Sequence, residues 1–216
     1  MIESARGIIL RTRPLTETSL VVNWLTPELG RVSTAAKGAR RPKSPFLGKL
    51  DLFYDADFTF SRSRRSDLHT LREVSLREMH APLRRELGRL QQAAYAAALI
   101  EQTTETETPL REIHALFAGF LNLLTRQPPK PRTVFAFELK LLRALGLQPD
   151  LAESKLPAET RTLTASLLES PWEKLGELRA GAGQASAVRQ FLHGYLIFHL
   201  GKIPRGRVEA LKVEIH

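Results

Sequence analysis

Near residue 80 the apolar residues stop recurring at every second position and take up the three-to-four spacing of an amphipathic helix, which divides the chain into a β part and an α part. Before the switch, Ile8, Leu10 and Thr12 alternate with Ile9, Arg11 and Arg13, and Leu20, Val22 and Trp24 alternate ahead of Pro27 and Gly30. Val32, Thr34 and Ala36 then alternate with Arg31, Ser33, Ala35 and Lys37. Leu52, Tyr54, Ala56, Phe58 and Phe60 oppose Asp51, Phe53, Asp55, Asp57 and Thr59, and a fifth segment runs from Leu68 to Arg77. Short strands that are each half apolar favour a small closed or nearly closed barrel, because closure removes edges that would otherwise aggregate. An OB-type barrel is the economical form.

After the switch the spacing predicts helices over 82–102, 109–127 and 132–145. The stretch 148–183 is irregular, broken by Pro149, Pro157 and Pro171, with one helix over 159–168. A last helix covers 185–200, stopped by Gly201 and Pro204 and followed by Arg205-Gly206-Arg207. In the third helix Arg132, Ala136, Lys140 and Arg143 share a narrow arc, while Phe135, Phe137, Leu139, Leu141, Leu142 and Leu145 are expected to be largely buried. Glu138 projects into the apolar arc and needs a cationic or hydrogen-bonding partner, since an unpaired carboxylate there is costly.

Charge narrows the function. Between Arg31 and Lys49 stand six basic residues (Arg31, Lys37, Arg40, Arg41, Lys43 and Lys49) and no Asp or Glu, on a loop between predicted strands. The net charge of +9 points the same way, toward a polyanion. Arg11, Arg13, Arg31 and Lys37 share strand parity opposite the apolar set, and Arg62, Arg64 and Arg65 add a second basic turn, so these cations are expected to converge on one groove that tracks a phosphate backbone. Exposed aromatics near the run are limited to Phe46 and Phe53, so binding should rest on phosphates with little sequence preference.

Other chemistries find little support. Cysteine is absent, which removes disulfides and thiolate zinc sites. No phosphate loop or complete dinucleotide fingerprint occurs, and His193 and His199 lack the i, i+4 spacing of helical zinc ligands. No stretch reaches the roughly 18 apolar residues of a membrane span, and no signal-peptide core opens the chain, so a cytoplasmic, nucleoid-associated location without membrane contact is expected. Two alternatives stay open: an RNA-binding OB-fold protein, and a magnesium-dependent nuclease using Asp51, Asp55 and Asp57 on one strand face.

Particular segments resemble the RecO family of bacterial recombination mediators. They are Ala5-Arg6-Gly7-Ile8-Ile9-Leu10-Arg11-Thr12-Arg13, Thr16-Glu17-Thr18-Ser19-Leu20, and Ala36-Lys37-Gly38-Ala39-Arg40. Phe137-Glu138-Leu139-Lys140-Leu141-Leu142 and Phe191-Leu192-His193-Gly194-Tyr195-Leu196 resemble the family's helical core and last helix. The resemblance implies an α+β multidomain protein without enzymatic activity or a cofactor: an OB-fold DNA-binding domain over 1–80 and an all-α, partner-binding domain over 81–216. It implies binding of single- and double-stranded DNA, annealing of complementary strands coated by single-stranded-DNA-binding protein, capture of that protein's acidic C-terminal tail, and RecA loading with RecR. Lys37 and Arg40 match basic family positions linked to DNA, and Arg41 and Lys43 extend them. For the tail, Lys130, Arg132, Phe137, Lys140, Leu141 and Arg143 are the candidates. Many relatives insert a four-cysteine zinc module where this chain has Leu147-Gln148-Pro149-Asp150, so no zinc module is expected.

Overall fold

The computed structural model describes residues 1–212 and divides them into two units, one of Met1–His80 with Thr104–Ala118, the other of Ala81–Thr103 with the chain from Gly119 onward. In the first unit the alternating segments become β1 (Ile2–Pro14), β2 (Leu20–Thr26), β3 (Gly30–Ala36), β4 (Asp55–Ser61) and β5 (Leu68–Glu78). They close in the order β1-β2-β3-β5-β4, with β4 returning to β1. Every pairing is antiparallel except β3 with β5, which run parallel through Ser33–Ala35 and Leu68–Thr70. This five-stranded closed barrel has the OB-type order the alternation anticipates. Trp24 stacks on Phe58 with ring centroids 4.1 Å apart, and Ile9, Val22, Val32, Phe60 and Leu71 complete the interior.

Two readings of the strands need correction. In β1 the register slips between Ile9 and Arg11, so Leu10 is a bulge residue, and Ile8, Ile9 and Leu10 are all buried. Ile9 faces the barrel core instead of sharing an outer face with Arg11. The fourth strand begins at Asp55 and not at Leu52, because Phe53 takes a left-handed φ of 66° while its N–H donates to the Ile9 carbonyl at 2.8 Å. Its ring is 1% exposed and meets Phe117 edge-on, and Phe46 is 6% exposed within the barrel core. Neither is a surface platform for stacking a base.

The second unit holds α1 (Leu87–Thr103), α3 (Pro131–Ala144), α4 (Ala158–Glu169), α5 (Ala182–Leu200) and a short α6 (Arg207–Ala210), while the unit boundary falls within α2 (Arg111–Arg126). Helix α5 starts three residues earlier than its periodicity predicts, since the Gln184 side chain accepts the Gly181 N–H at 3.0 Å. Helix α3 is enclosed on every side from Thr133 to Leu142. Lys140, expected on a polar arc, is 9% exposed; its ammonium donates to the Leu168 carbonyl at 2.6 Å and lies 5.5 Å from the Trp172 ring centroid. Burial holds its pKa below the usual lysine range. Glu138, fully buried, finds its partners in Arg207 of α6 and Tyr95 of α1.

Candidate nucleic-acid interface

The basic loop is built as a chain of tight turns fixed at both ends. Gly38 adopts a φ of 68°, which lets the Ala39 N–H reach back to the Ala36 carbonyl at 3.3 Å, and the Arg41 N–H bonds the Gly38 carbonyl at 3.1 Å. Ala39 and Phe46 enter the barrel core and pin the loop from below. From the side, the Arg40 N–H donates to the Thr18 carbonyl at 3.0 Å, and the Gly38 N–H to the Ser19 hydroxyl at 3.3 Å. Lys37, Arg40, Arg41 and Lys43 are thereby left exposed. No carboxylate among the described residues pairs with any of these four.

Register brings two more cations to that end of the barrel. Arg13 pairs with Val21, Pro14 with Leu20, and Leu20 with Ala36, so the end of β1 lies one strand away from Lys37. Arg11 and Arg13 are both exposed. The loop's four cations and Arg13 thus share one end of the barrel, with Arg11 two residues back along β1.

The remaining predicted residues lie elsewhere. Arg31 directs its guanidinium to the Thr104 carbonyl, and its own carbonyl accepts the Glu107 N–H at 3.1 Å, so it fastens the segment after α1 to the barrel. Lys49 is half-buried and lines a cleft of about 820 Å³ with Arg6, Glu28, Asp57 and Arg72. Arg64 and Arg65 are exposed on the β4–β5 turn, where the Arg62 N–H bonds the Met1 carbonyl. That is the far end of the 13-residue β1 from Arg13, about 40 Å along the strand. The single trough the sequence suggests is therefore two separate basic groups, and strand parity alone carried no information about which end of a strand a turn occupies.

The nuclease constellation does not assemble. Asp55 is 4% exposed and grips Arg6 through both oxygens, Arg6 Nη2 donating at 2.6 Å; Asp57 accepts from Arg77 at 2.6 Å; Asp51 lies outside β4.

In the helical unit, Lys130, Pro131, Arg132, Phe135, Leu163 and Leu167 line an apolar groove of about 210 Å³. Arg132 donates to the carbonyls of Gly176 and Leu178, and burial lowers its pKa. Phe137 and Leu141 are 0% and 1% exposed and serve the core of α3, Lys140 is committed to Leu168, and Arg143 pairs with Glu169 at 3.2 Å. Of the residues expected to receive a tail, the structure brings Lys130 and Arg132 to the groove, and adds Phe135, which is buried in α3 as the sequence suggests and lines the groove as well.

Comparison with known proteins agrees with this architecture. Residues 1–80 match the model for the recombination protein O N-terminal domain, and residues 84–155 match that for its C-terminal domain. The DNA repair protein RecO of Rhodopirellula baltica is 36% identical over 143 residues, covering 66% of this chain and 53% of the relative. That of Anaeromyxobacter sp. (strain K) is 38% identical over 145 residues, covering 67% and 57%, and that of Alkaliphilus metalliredigens is 33% identical over 152 residues, covering 70% and 61%. The chain thus spans little more than half the length of these relatives. With both domain models in sequence, a five-stranded barrel carrying the first and helices the second, the chain belongs to the RecO family of DNA repair proteins.

Proposed function

We propose that this protein is a non-enzymatic recombination mediator that binds single- and double-stranded DNA through the basic end of its barrel and brings complementary strands together. The observation that carries the reading is the loop from Lys37 to Lys43, whose cations are exposed with no carboxylate partner among the described residues while Ala39 and Phe46 hold it to the barrel. Cations fixed on a rigid surface lower the repulsion between two phosphate backbones, and base pairing then supplies the selectivity. The groove beside Lys130 and Arg132, an apolar floor with a cationic rim, suits the acidic C-terminal tail of single-stranded-DNA-binding protein. Displacement of that coat, together with RecR, is the step that admits RecA.

The test is the double variant Lys37→Glu with Arg40→Glu, assayed on bare and coated strands. Loss of DNA binding and annealing in a protein that keeps its circular dichroism spectrum supports the reading, and unchanged annealing overturns it. Preference for structured RNA over DNA of equal length in a competition titration favours an RNA-binding barrel instead.

A further inference from the structure

Strand β5 outruns one of its neighbours. On one side it pairs with β4 from Thr70 to Glu78, but on the other it meets β3 through Leu68–Thr70 and no further. From Arg72 to Glu78, among the described residues, no backbone hydrogen bond leads to a segment other than β4. Alternate N–H and C=O groups along such an edge point away from the sheet and can receive another strand. The basic loop does not cover it. None of that loop's backbone hydrogen bonds goes to β5, and Arg72–Ser75 line the open cleft of about 820 Å³ that Pro45 and Lys49 also line.

Bulges and charges are the usual means by which an edge turns a second strand away. This edge has both: Arg72 and Arg77 stand at irregularities in the β4 ladder, and Arg72, Glu73, Arg77 and Glu78 are exposed. The order of the charges, however, makes the strand complementary to itself. Laid antiparallel on a second copy with Ser75 opposite Ser75, the segment sets Arg72 against Glu78 and Glu73 against Arg77, each twice by symmetry, with Val74 against Leu76. A slip of one residue in either direction opposes Arg72 to Arg77 or Glu73 to Glu78, so like charges reject the neighbouring registers.

The two faces of the strand agree with this pairing. Val74 is buried in the barrel core and Leu76 is half-buried against it, so their contact would continue apolar surface from one copy to the next. On the outer face Glu73 has no cationic partner among the described residues. Arg77 spends its Nε on Asp57 at 2.6 Å, which leaves further guanidinium donors for a carboxylate across the edge. The net charge of +9 opposes self-association at long range, but such repulsion is screened beyond about 8 Å at physiological salt, whereas the four charged side chains of the edge sum to zero.

We propose that the Arg72–Glu78 edge of β5 is a homodimer interface, in which two copies of this chain pair these strands antiparallel about a two-fold axis at Ser75. The assignment is independent of the DNA-binding reading, because each barrel keeps its own basic loop. Sedimentation equilibrium of the intact protein should show a reversible dimer. Glu73→Arg opposes arginine to arginine at both symmetric contacts and Arg77→Glu opposes glutamate to glutamate, so each variant alone should weaken the dimer about tenfold or more. Mixed together, the two variants should associate with near wild-type affinity, since every contact then joins opposite charges.

The chain contains no cysteine, so Ser75→Cys adds one thiol per copy. Residues directly opposite in an antiparallel pair lie about 4.5–5.5 Å apart between Cα atoms, within reach of a disulfide, and mild oxidation should link two chains through that position. Asp67→Cys, on the β4–β5 turn, should link far more slowly. This crosslink carries the test if either charge variant fails to fold. A monomer at every concentration, a dimer indifferent to Glu73→Arg, folded charge variants that do not associate when mixed, or Ser75→Cys oxidising no faster than Asp67→Cys overturns the proposal.

Discussion

Arg207 grips Glu138 through two hydrogen bonds, Nε to Oε1 at 2.7 Å and Nη2 to Oε2 at 2.9 Å, with both side chains buried. The Tyr95 hydroxyl donates to the same Oε1 at 2.6 Å, and burial followed by the neighbouring carboxylate pushes the phenol well above its ordinary pKa. Such a pair need not stabilise the fold more than an apolar replacement, but removing one partner strands the other charge. Arg207→Met is expected to lower stability by about 3–5 kcal/mol in urea denaturation, and Arg207→Met combined with Glu138→Leu to recover most of it. Equal losses in the single and double variants would show that α6 is held by packing alone.

The basic loop should reveal itself through salt. If about five of the cations around Lys37 neutralise phosphates, log K against log salt for single-stranded DNA should slope near −3 to −4. Lys37→Ala with Arg40→Ala removes two of them and should reduce the slope by about 1.4, with no change in base preference. The corresponding changes at Arg64 and Arg65, on the far turn, should leave the slope nearly unaltered. Binding isotherms at four or five salt concentrations decide between one interface and two.

His114 gives the barrel unit a pH dependence. The ring is 8% exposed with Nε2 unpaired, and burial lowers its pKa below 6.5, outweighing the opposing pull of Asp55 and Glu28. Arg6 acts in the same direction as burial. A base whose folded pKa is depressed is protonated first in the unfolded chain, so stability is intact above about pH 6.5 and falls as pH drops through the interval down to the folded value. The slope there should approach about 1.4 kcal/mol per pH unit. His114→Phe should remove that component from thermal melts between pH 7 and 5, and an identical pH profile in the variant would rule it out.

Gly30 is constrained from two sides. Its φ is 68°, and a Cβ there would lie 1.9 Å from the Thr108 carbonyl oxygen. Gly30→Ala is accordingly expected to destabilise the protein by about 2–3 kcal/mol, combining left-handed strain with displacement of the 104–108 segment. A change below 0.5 kcal/mol in a urea titration would mean that this segment yields freely.

Enough period-two alternation remains, most clearly in β4, to make the barrel readable, and the loop is readable because no carboxylate interrupts its cations. The bulge at Leu10 was hidden, since one inserted residue resets the parity without changing composition. Phe53 resembled a strand residue for the same reason: alternation does not register a left-handed backbone. The need of Glu138 for a partner was legible from its position among apolar neighbours. The partner was not, because Arg207 sits on a four-residue helix too short to display a period. Parity puts Arg31 on the basic face, whereas a carbonyl some seventy positions away in sequence claims it.

The anchoring of Ala39 and Phe46 inside the barrel makes the cationic loop a stiff comb whose teeth keep their spacing before any strand arrives. For the proposed interface, little ordering is then left to oppose association, so the cations contribute to affinity without first having to be immobilised. A mutation that hollows out the hydrophobic seat of Phe46, altering no charge at all, should loosen the hold on DNA much as the loss of a lysine does.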